Sequence, residues 1–309
     1  MHSILPPRVL LSLSILFLAL GVASPVQSAD WIHWRGPEQT GLSREKNLPG
    51  DFDPKLKTKG NVVWQQPVGG RSAPLVMDGR MYIIHGTGSG LAEGEEVVCL
   101  EEANGKKLWN YRVNVYHADI VSSRLGWTTL TADPETGYVY AHTTAGELLC
   151  LDKVGKLVWR RQLTEEFGRV SGYGGRICTP IFDSGLVIVG MASASWGDQA
   201  RGQNRFIAFD GKSGQVVWIT GVGTELFGTY YSSPVIAVIN GQRLFLSGGA
   251  DGGLHALKVR TGELVWSVPF GLGVVNGSPV ISGNLVFCTH GEDNPEGGPV
   301  GRVVCVDAS

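Results

Sequence analysis

The sequence predicts an all-β protein, a β-propeller made of four-stranded blades. Three observations carry that prediction. A glycine followed four residues later by a tryptophan recurs along the chain, each such pair sits in a strand–turn–strand pattern, and a second strand–turn–strand pattern precedes most of them. The pairs are Gly60/Trp64, Gly105/Trp109, Gly155/Trp159, Gly214/Trp218 and Gly262/Trp266, with tryptophans 45, 50, 59 and 48 residues apart. A period of this size belongs to propellers or solenoids.

The second hairpin of each unit comes first in the argument because its copies align best. The segments 97–101, 148–152, 206–210, 254–258 and 303–307 read ValValCysLeuGlu, LeuLeuCysLeuAsp, PheIleAlaPheAsp, LeuHisAlaLeuLys and ValValCysValAsp. Apolar residues flank a small one, usually an acid follows, and a glycine turn leads into the run that ends in tryptophan. The acid can hold the turn by accepting from its backbone amides. Cys99, Cys150 and Cys305 share one repeat position with Ala208 and Ala256, so they read as small core residues rather than redox thiols. Cys178 and Cys288 lie on other strands, and no Cys-x-x-Cys or vicinal pair is present.

The first hairpin opens at Ser72-Ala73-Pro74, Cys178-Thr179-Pro180, Ser232-Ser233-Pro234 and Gly277-Ser278-Pro279, and turns at Asp78-Gly79, Ser184-Gly185, Asn240-Gly241 and Ser282-Gly283. Two hairpins make a blade. Complete units are expected at 72–112, 127–161, 178–220 and 232–269. A fifth shows three strands near 277–282, 285–290 and 303–307. Either Val62–Trp64 supplies its fourth strand and closes a small ring, or the ring is larger. The favoured expectation is a seven- or eight-bladed ring cut at its C-terminus, since such a ring needs roughly 340–390 residues. The repeated tryptophans and glycines are expected to be structural, one large aromatic packing between neighbouring sheets in each blade.

Composition narrows the function. Charged residues are only 17% and the net charge is −2, with no basic or acidic block. That argues against nucleic acid or anionic lipid as main partner. Residues 9–20 form a short apolar run after Arg8, and Val26-Gln27-Ser28 offers small residues for cleavage. The expected organisation is a signal peptide at 1–28, an N-terminal extension at 29–59 and the propeller at 60–309. The mature protein is expected in the periplasm or secreted, without stable membrane insertion.

The pattern [Ala/Cys]-x-Asp-x-x-[Ser/Thr]-Gly-x-x-x-Trp resembles the pyrroloquinoline-quinone-like (PQQ-like) β-propeller repeat. AlaPheAspGlyLysSerGlyGlnValValTrp (208–218) and AlaLeuLysValArgThrGlyGluLeuValTrp (256–266) are its clearest copies, and the resemblance spans about 60–309. The opening TrpIleHisTrpArgGlyProGluGlnThrGlyLeuSer (31–43) resembles exported planctomycete-type members of the group. The resemblance implies one of two roles. Quinoprotein alcohol dehydrogenases of the family hold PQQ and calcium in the central channel, using a vicinal cysteine pair, an Asp base and Glu/Asn ligands. BamB-like members keep the repeat without the cofactor and bind proteins.

The turns after first and third strands are short, and the other links (86–96, 112–126, 162–177, 191–204, 220–231, 289–302) are long and share one face. Binding is expected there. Trp127 and Trp196 lie outside the repeat phase on or beside these loops, with Arg124 and Tyr173 as further partner-binding candidates. His85, His142 and His290 sit in different units, so one metal does not easily reach all three. His117-Ala118-Asp119 lacks an accompanying nucleophile, and GluAspAsnProGluGlyGly (292–298) reads as a solvated loop rather than a calcium site. No catalytic residue, cofactor or metal site is assigned. The expectation is an exported, non-catalytic scaffold that binds a protein or other macromolecule of the cell envelope. The alternatives are a PQQ- and calcium-dependent dehydrogenase whose site residues lie outside this chain, and a polysaccharide-binding or hydrolytic propeller.

Overall fold

The computed structural model describes residues 30–115, 124–168, 177–193, 203–223, 230–291 and 301–309. Among these residues nineteen strands form five antiparallel sheets, each sheet running in chain order from inner to outer strand. The first holds β1 (Leu75–Met77), β2 (Arg80–Thr87), β3 (Gly94–Glu101) and β4 (Lys107–Asn114). The second holds β5 (Thr131–Asp133), β6 (Tyr138–His142), β7 (Glu147–Leu151) and β8 (Leu157–Gln162). The third holds β9 (Ile181–Asp183), β10 (Leu186–Ser193), β11 (Gln203–Asp210) and β12 (Val216–Gly223). The fourth holds β13 (Val235–Ile239), β14 (Gln242–Gly248), β15 (Gly253–Lys258) and β16 (Leu264–Pro269). The fifth holds β17 (Val280–Ser282), β18 (Leu285–His290) and β19 (Arg302–Asp307).

Local chemistry sets the hairpins. Asp78 and Gly79 both have positive φ, as do Ser184/Gly185 and Asn240/Gly241. That conformation matches the right-handed twist of the flanking strands. In the fifth sheet Ser282 pairs with Leu285, so the turn is Gly283-Asn284, one residue beyond the expected Ser282-Gly283. Acids hold the outer turns: Asp152 Oδ1 accepts from the amides of Val154 and Lys156, and Asp210 Oδ1 from those of Lys212 and Ser213. Where Lys258 replaces the acid, its Nζ pairs with Glu263 across the same turn at 2.8 Å.

A bulge recurs where the sequence shows only a tryptophan. Cys99 pairs with Trp109 but Leu100 pairs with Lys107, leaving Leu108 unopposed. The same slip leaves out Val158, Val217 and Val265 in the next three sheets. A bulge adds local twist and re-aims the side chain beside it. Each slip places the indole directly opposite a small residue (Cys99, Cys150, Ala208 or Ala256), all fully buried.

The indoles then dock on the following unit. Trp64, Trp109, Trp159 and Trp218 donate through Nε1 to the carbonyls of Glu102, Lys153, Gly211 and Val259 at 2.7–3.0 Å. Each ring lies over a positive-φ glycine, Gly105, Gly155, Gly214 or Gly262, where an added Cβ would meet it at 2.5–2.6 Å. Apolar residues of consecutive sheets merge into shared cores, such as Ile188, Phe206 and Trp218 with Phe245 and Leu257. Trp266 packs against the core that joins the fourth and fifth sheets, which includes Leu246, Leu254, Val286 and Cys288.

Two expectations are corrected. Residues 62–64 form no strand and pair with no residue of β19; Trp64 instead docks on the first sheet, packed with Ile83, Val98 and Leu100. Cys305 is exposed, not core, because β19 is the outermost described strand of its sheet and no indole faces it.

Candidate functional site: the axial cleft

The inner strands leave unpaired backbone groups along a common axis. The N-terminal segment satisfies several of them. Trp31 and Val76 exchange both backbone bonds at 2.8 and 3.0 Å, and Ala132 donates to the Ile32 carbonyl at 3.3 Å. His33 Nδ1 lies 2.9 Å from Thr131 Oγ1. Beside the third sheet, His33, Trp34 and Arg35 line a small pocket together with Thr179, Pro180 and Ile181. Gln39 Oε1 accepts from the Ile236 amide at 2.5 Å, and Arg35 Nη1 donates to the Pro279 carbonyl at 3.0 Å. Residues 31–39 therefore hydrogen-bond to the inner strand, or the residue just before it, in the first, second, fourth and fifth sheets, and line a pocket with the third.

Above this segment, at the ends where long links enter the inner strands, lies a cleft of about 430 Å³. Trp34, Arg71, Trp127, Thr129, Ile177, Thr179, Tyr231 and Ser233 line it. The guanidinium carbon of Arg71 sits 5.8 Å from the centre of the Trp127 ring, within cation–π range. Trp34 is 42% exposed.

The residue before the inner strand's proline, or its equivalent, links neighbouring sheets. The Ala73 amide donates to Thr129 Oγ1 at 3.1 Å, the Thr129 amide to Thr179 Oγ1 at 3.3 Å, and the Ser233 amide to Ser278 Oγ at 3.1 Å. The preceding residue ties its own sheet: Ser72 and Thr128 donate to the carbonyls of Ile84 and His142 at 2.7 and 2.6 Å.

Beside the cleft, Glu95 is buried between the first two sheets. Its two oxygens accept from the amides of Gly126 at 2.6 Å and Thr144 at 2.8 Å. Burial outweighs those donors and pushes its carboxyl up to about 7. Burial also lowers His33 and His142 to about 4.

Of the partner-binding candidates, Trp127 lines the cleft. Arg124 lies in a short turn and is not among the lining residues; Trp196 and Tyr173 fall outside the described residues. His117, Asp119 and residues 292–298 also fall outside them. His85, His142 and His290 stay apart, their ring nitrogens meeting the carbonyls of Gly86, Cys178 and Phe270 at 2.8–3.2 Å. Among the described residues no three His, Cys, Asp or Glu side chains converge as a metal would need. Sequence reading missed Trp34, Arg71 and Tyr231; the Ser/Thr ring was visible as Thr179-Pro180 and Ser233-Pro234 but read only as strand openings.

Five consecutive antiparallel sheets, indole-docked and sharing one axis, define a propeller of PQQ-like repeats. The chain belongs to the family described as outer membrane protein assembly factor BamB, whose model matches residues 55–124 and 93–309. It is similar to the quinohemoprotein alcohol dehydrogenase ADH IIB of Pseudomonas putida, 29% identical over 149 residues, covering 48% of this chain and 19% of that protein. Its fold is similar to quinohemoprotein alcohol dehydrogenase from Comamonas testosteroni, with a TM-score of 0.55 and 17% identity, covering 90% of this chain and 46% of that one. It is likewise similar to ADHIIG from Pseudomonas putida HK5, with a TM-score of 0.52 and 16% identity, covering 91% of this chain and 45% of that one. The chain thus spans under half the length of these relatives. No helix among the described residues is long and apolar enough to cross a membrane.

Proposed function

We propose that this chain, after loss of a signal peptide at 1–28, is an exported, non-catalytic propeller that binds a protein or other macromolecule of the cell envelope at its long-loop face. One observation carries the reading. The N-terminal segment is hydrogen-bonded to the inner strands of four sheets, or the residue just before, and contributes Trp34 to the lining of the cleft beside Trp127 and Tyr231. Rigid scaffolds with exposed aromatic anchors suit binding. Among the described residues the lining holds hydroxyls, rings and one guanidinium, with no nucleophile–base pair.

The likeness to quinohemoprotein dehydrogenases raises PQQ with calcium as the alternative. The described lining of the cleft does not fit that group. Calcium takes six to eight oxygen ligands, carboxylates prominent among them, and among the described residues no carboxylate lines the cleft. No step through that cofactor is derived.

The test is a titration of PQQ with calcium into the chain, read by cofactor absorbance and dye reduction with simple alcohols, beside a pull-down from the cell envelope. Capture of an envelope component that is lost on Trp127→Ala and Trp196→Ala supports the scaffold. Stoichiometric PQQ binding with turnover overturns it.

A further inference from the structure

We propose that Ser267 is an acyl-acceptor site, a hydroxyl that His255 activates to take one acyl group from an activated ester or thioester. The inference is separate from the cleft and concerns the fourth sheet.

The repeat itself marks the place. His255 stands one residue before the small position of β15, where the other four sheets have Val98, Leu149, Ile207 and Val304. Four copies fill the position with an aliphatic side chain, so the blade does not require an imidazole there. His255 is nevertheless buried, 1% exposed. A buried polar ring costs free energy unless its nitrogens are bonded, and both are. Nε2 lies 2.9 Å from Asp251 Oδ1, and Nδ1 lies 2.8 Å from Ser267 Oγ.

The fold holds these three groups in line. Asp251 lies in the turn between β14 and β15, and Ser267 stands directly opposite His255 across β15 and β16. Two glycines make room for the inner pair. A Cβ on Gly249 would collide with Asp251 Oδ1 and His255 Nε2, and one on Gly223 with Asp251 Oδ2. The Phe206 ring meets the imidazole edge-on, with centroids 6.4 Å apart. Ser267, at the outer end of the relay, is exposed, so an electrophile can reach it.

A carboxylate only accepts, so Nε2 carries the hydrogen and Nδ1 keeps a lone pair for the Ser267 hydroxyl. That arrangement makes the imidazole a base for the hydroxyl proton. The roles are those of a carboxylate–imidazole–hydroxyl relay, with the two ring nitrogens exchanged. In the step, Oγ attacks the acyl carbon and its proton passes to Nδ1. The bond from the acyl carbon to the leaving oxygen or sulfur then breaks, and the proton moves on to that leaving atom. The products are an acyl ester of Ser267 and a free alcohol or thiol, with no change in oxidation state. The amides of Gly249 and Gly253 already donate to the Gly253 carbonyl and to Asp251 Oδ1. They are not free to stabilise an oxyanion, so the site calls for donors with good leaving groups and for a single transfer rather than turnover.

The experiment treats the full chain with 4-nitrophenyl acetate and, separately, with a fluorophosphonate, and locates the adducts by peptide mass mapping. The expected result is one adduct on Ser267 with either probe, absent in Ser267→Ala. His255→Val installs the residue of the first and fifth sheets, and is expected to keep the fold while slowing labelling of Ser267 about a hundredfold. Asp251 is a positioning residue. Asp251→Asn is expected to slow labelling at least about tenfold across the pH range, with the unfolding midpoint unchanged, and serves where His255→Val fails to fold. No adduct on Ser267, labelling no faster than at other exposed serines, or a rate unchanged in both His255→Val and Asp251→Asn each overturns the proposal. None of these residues lines the cleft. An envelope component captured through Trp127 beside an unreactive Ser267 would sink this inference and leave the scaffold reading standing.

Discussion

The ring of Trp159 lies over the backbone of Gly214, so close that a Cβ there would sit 2.6 Å from indole Cδ2. Gly214 also has φ +69°, so any side chain meets both a strained backbone and a ring that cannot move. Gly214→Ala is expected to destabilise the chain by about 2–4 kcal/mol, the sum of a left-handed non-glycine residue and an overpacked contact. Denaturant unfolding measures it. A loss under about 0.5 kcal/mol would mean the indole is free to shift.

The same indole separates packing from hydrogen bonding. Trp159 Nε1 donates to the Gly211 carbonyl at 2.8 Å, and Tyr140 Oη donates to that carbonyl at 3.2 Å. Removing only the indole N–H therefore leaves the carbonyl with a donor. Trp159→Phe is expected to cost about 1 kcal/mol for the bond, plus a smaller share for lost volume. Trp159→Ala empties the interface and is expected to cost about 3–5 kcal/mol. Equal losses for the two variants would show that the hydrogen bond, not the ring, holds neighbouring sheets together.

These contacts show what the sequence makes visible. The phase of Gly214 and Trp159, the small residue opposite each indole and the acids at the outer turns are local patterns, and a repeat displays them several times. The cleft is different. Trp34, Arg71, Trp127, Thr179 and Tyr231 come from separate sheets and the leading segment, and no spacing marks them as neighbours. The bulge is hidden because the residue it leaves out, such as Val158 or Val217, is as apolar as its neighbours. Glu95 and Glu96 look alike in sequence, yet alternation along β3 sends Glu95 into the first inter-sheet crevice and Glu96 to His85.

Glu95 makes stability depend on pH. Its folded carboxyl titrates near 7 against 4.5 ordinarily, so between these values the folded chain holds the more protons. Its contribution is complete below about 4.5 and is lost as pH rises through 7. His33 and His142, lowered from 6.5 to about 4, act oppositely: their contribution is present above 6.5 and is lost as pH falls toward 4. Two histidines outweigh one carboxyl, so stability is expected to rise from pH 4.5 to 6.5 by about 1 kcal/mol per unit. Glu95→Gln is expected to steepen that slope and lower stability at pH 5, since one backbone amide then faces an NH₂ group. Midpoints of urea unfolding across this range test both. A variant with the wild-type slope would show that Glu95 is ionised throughout.

Burial also sorts the cysteines. Cys99, Cys150, Cys178 and Cys288 are buried and Cys305 is exposed. Desolvation pushes the thiols of Cys99 and Cys288 up to about 11 and that of Cys178 to about 12, and raises Cys150 as well. A thiol reacts as its thiolate, so these four are doubly protected, by access and by charge. Cys305 lacks the protection of burial, because β19 leaves that face of its sheet open. Ellman's reagent at pH 8 is expected to titrate one thiol of the five in the native chain and all five in denaturant. Cys305→Ser is expected to abolish the native signal without shifting the unfolding midpoint by more than about 0.5 kcal/mol, as suits an exposed position. A second thiol reacting at the same rate in the native chain would show that an indole-docked sheet opens readily. A native chain with no reactive thiol would show that the open face of β19 is covered in solution, which hydrogen exchange along Arg302–Asp307 would then locate.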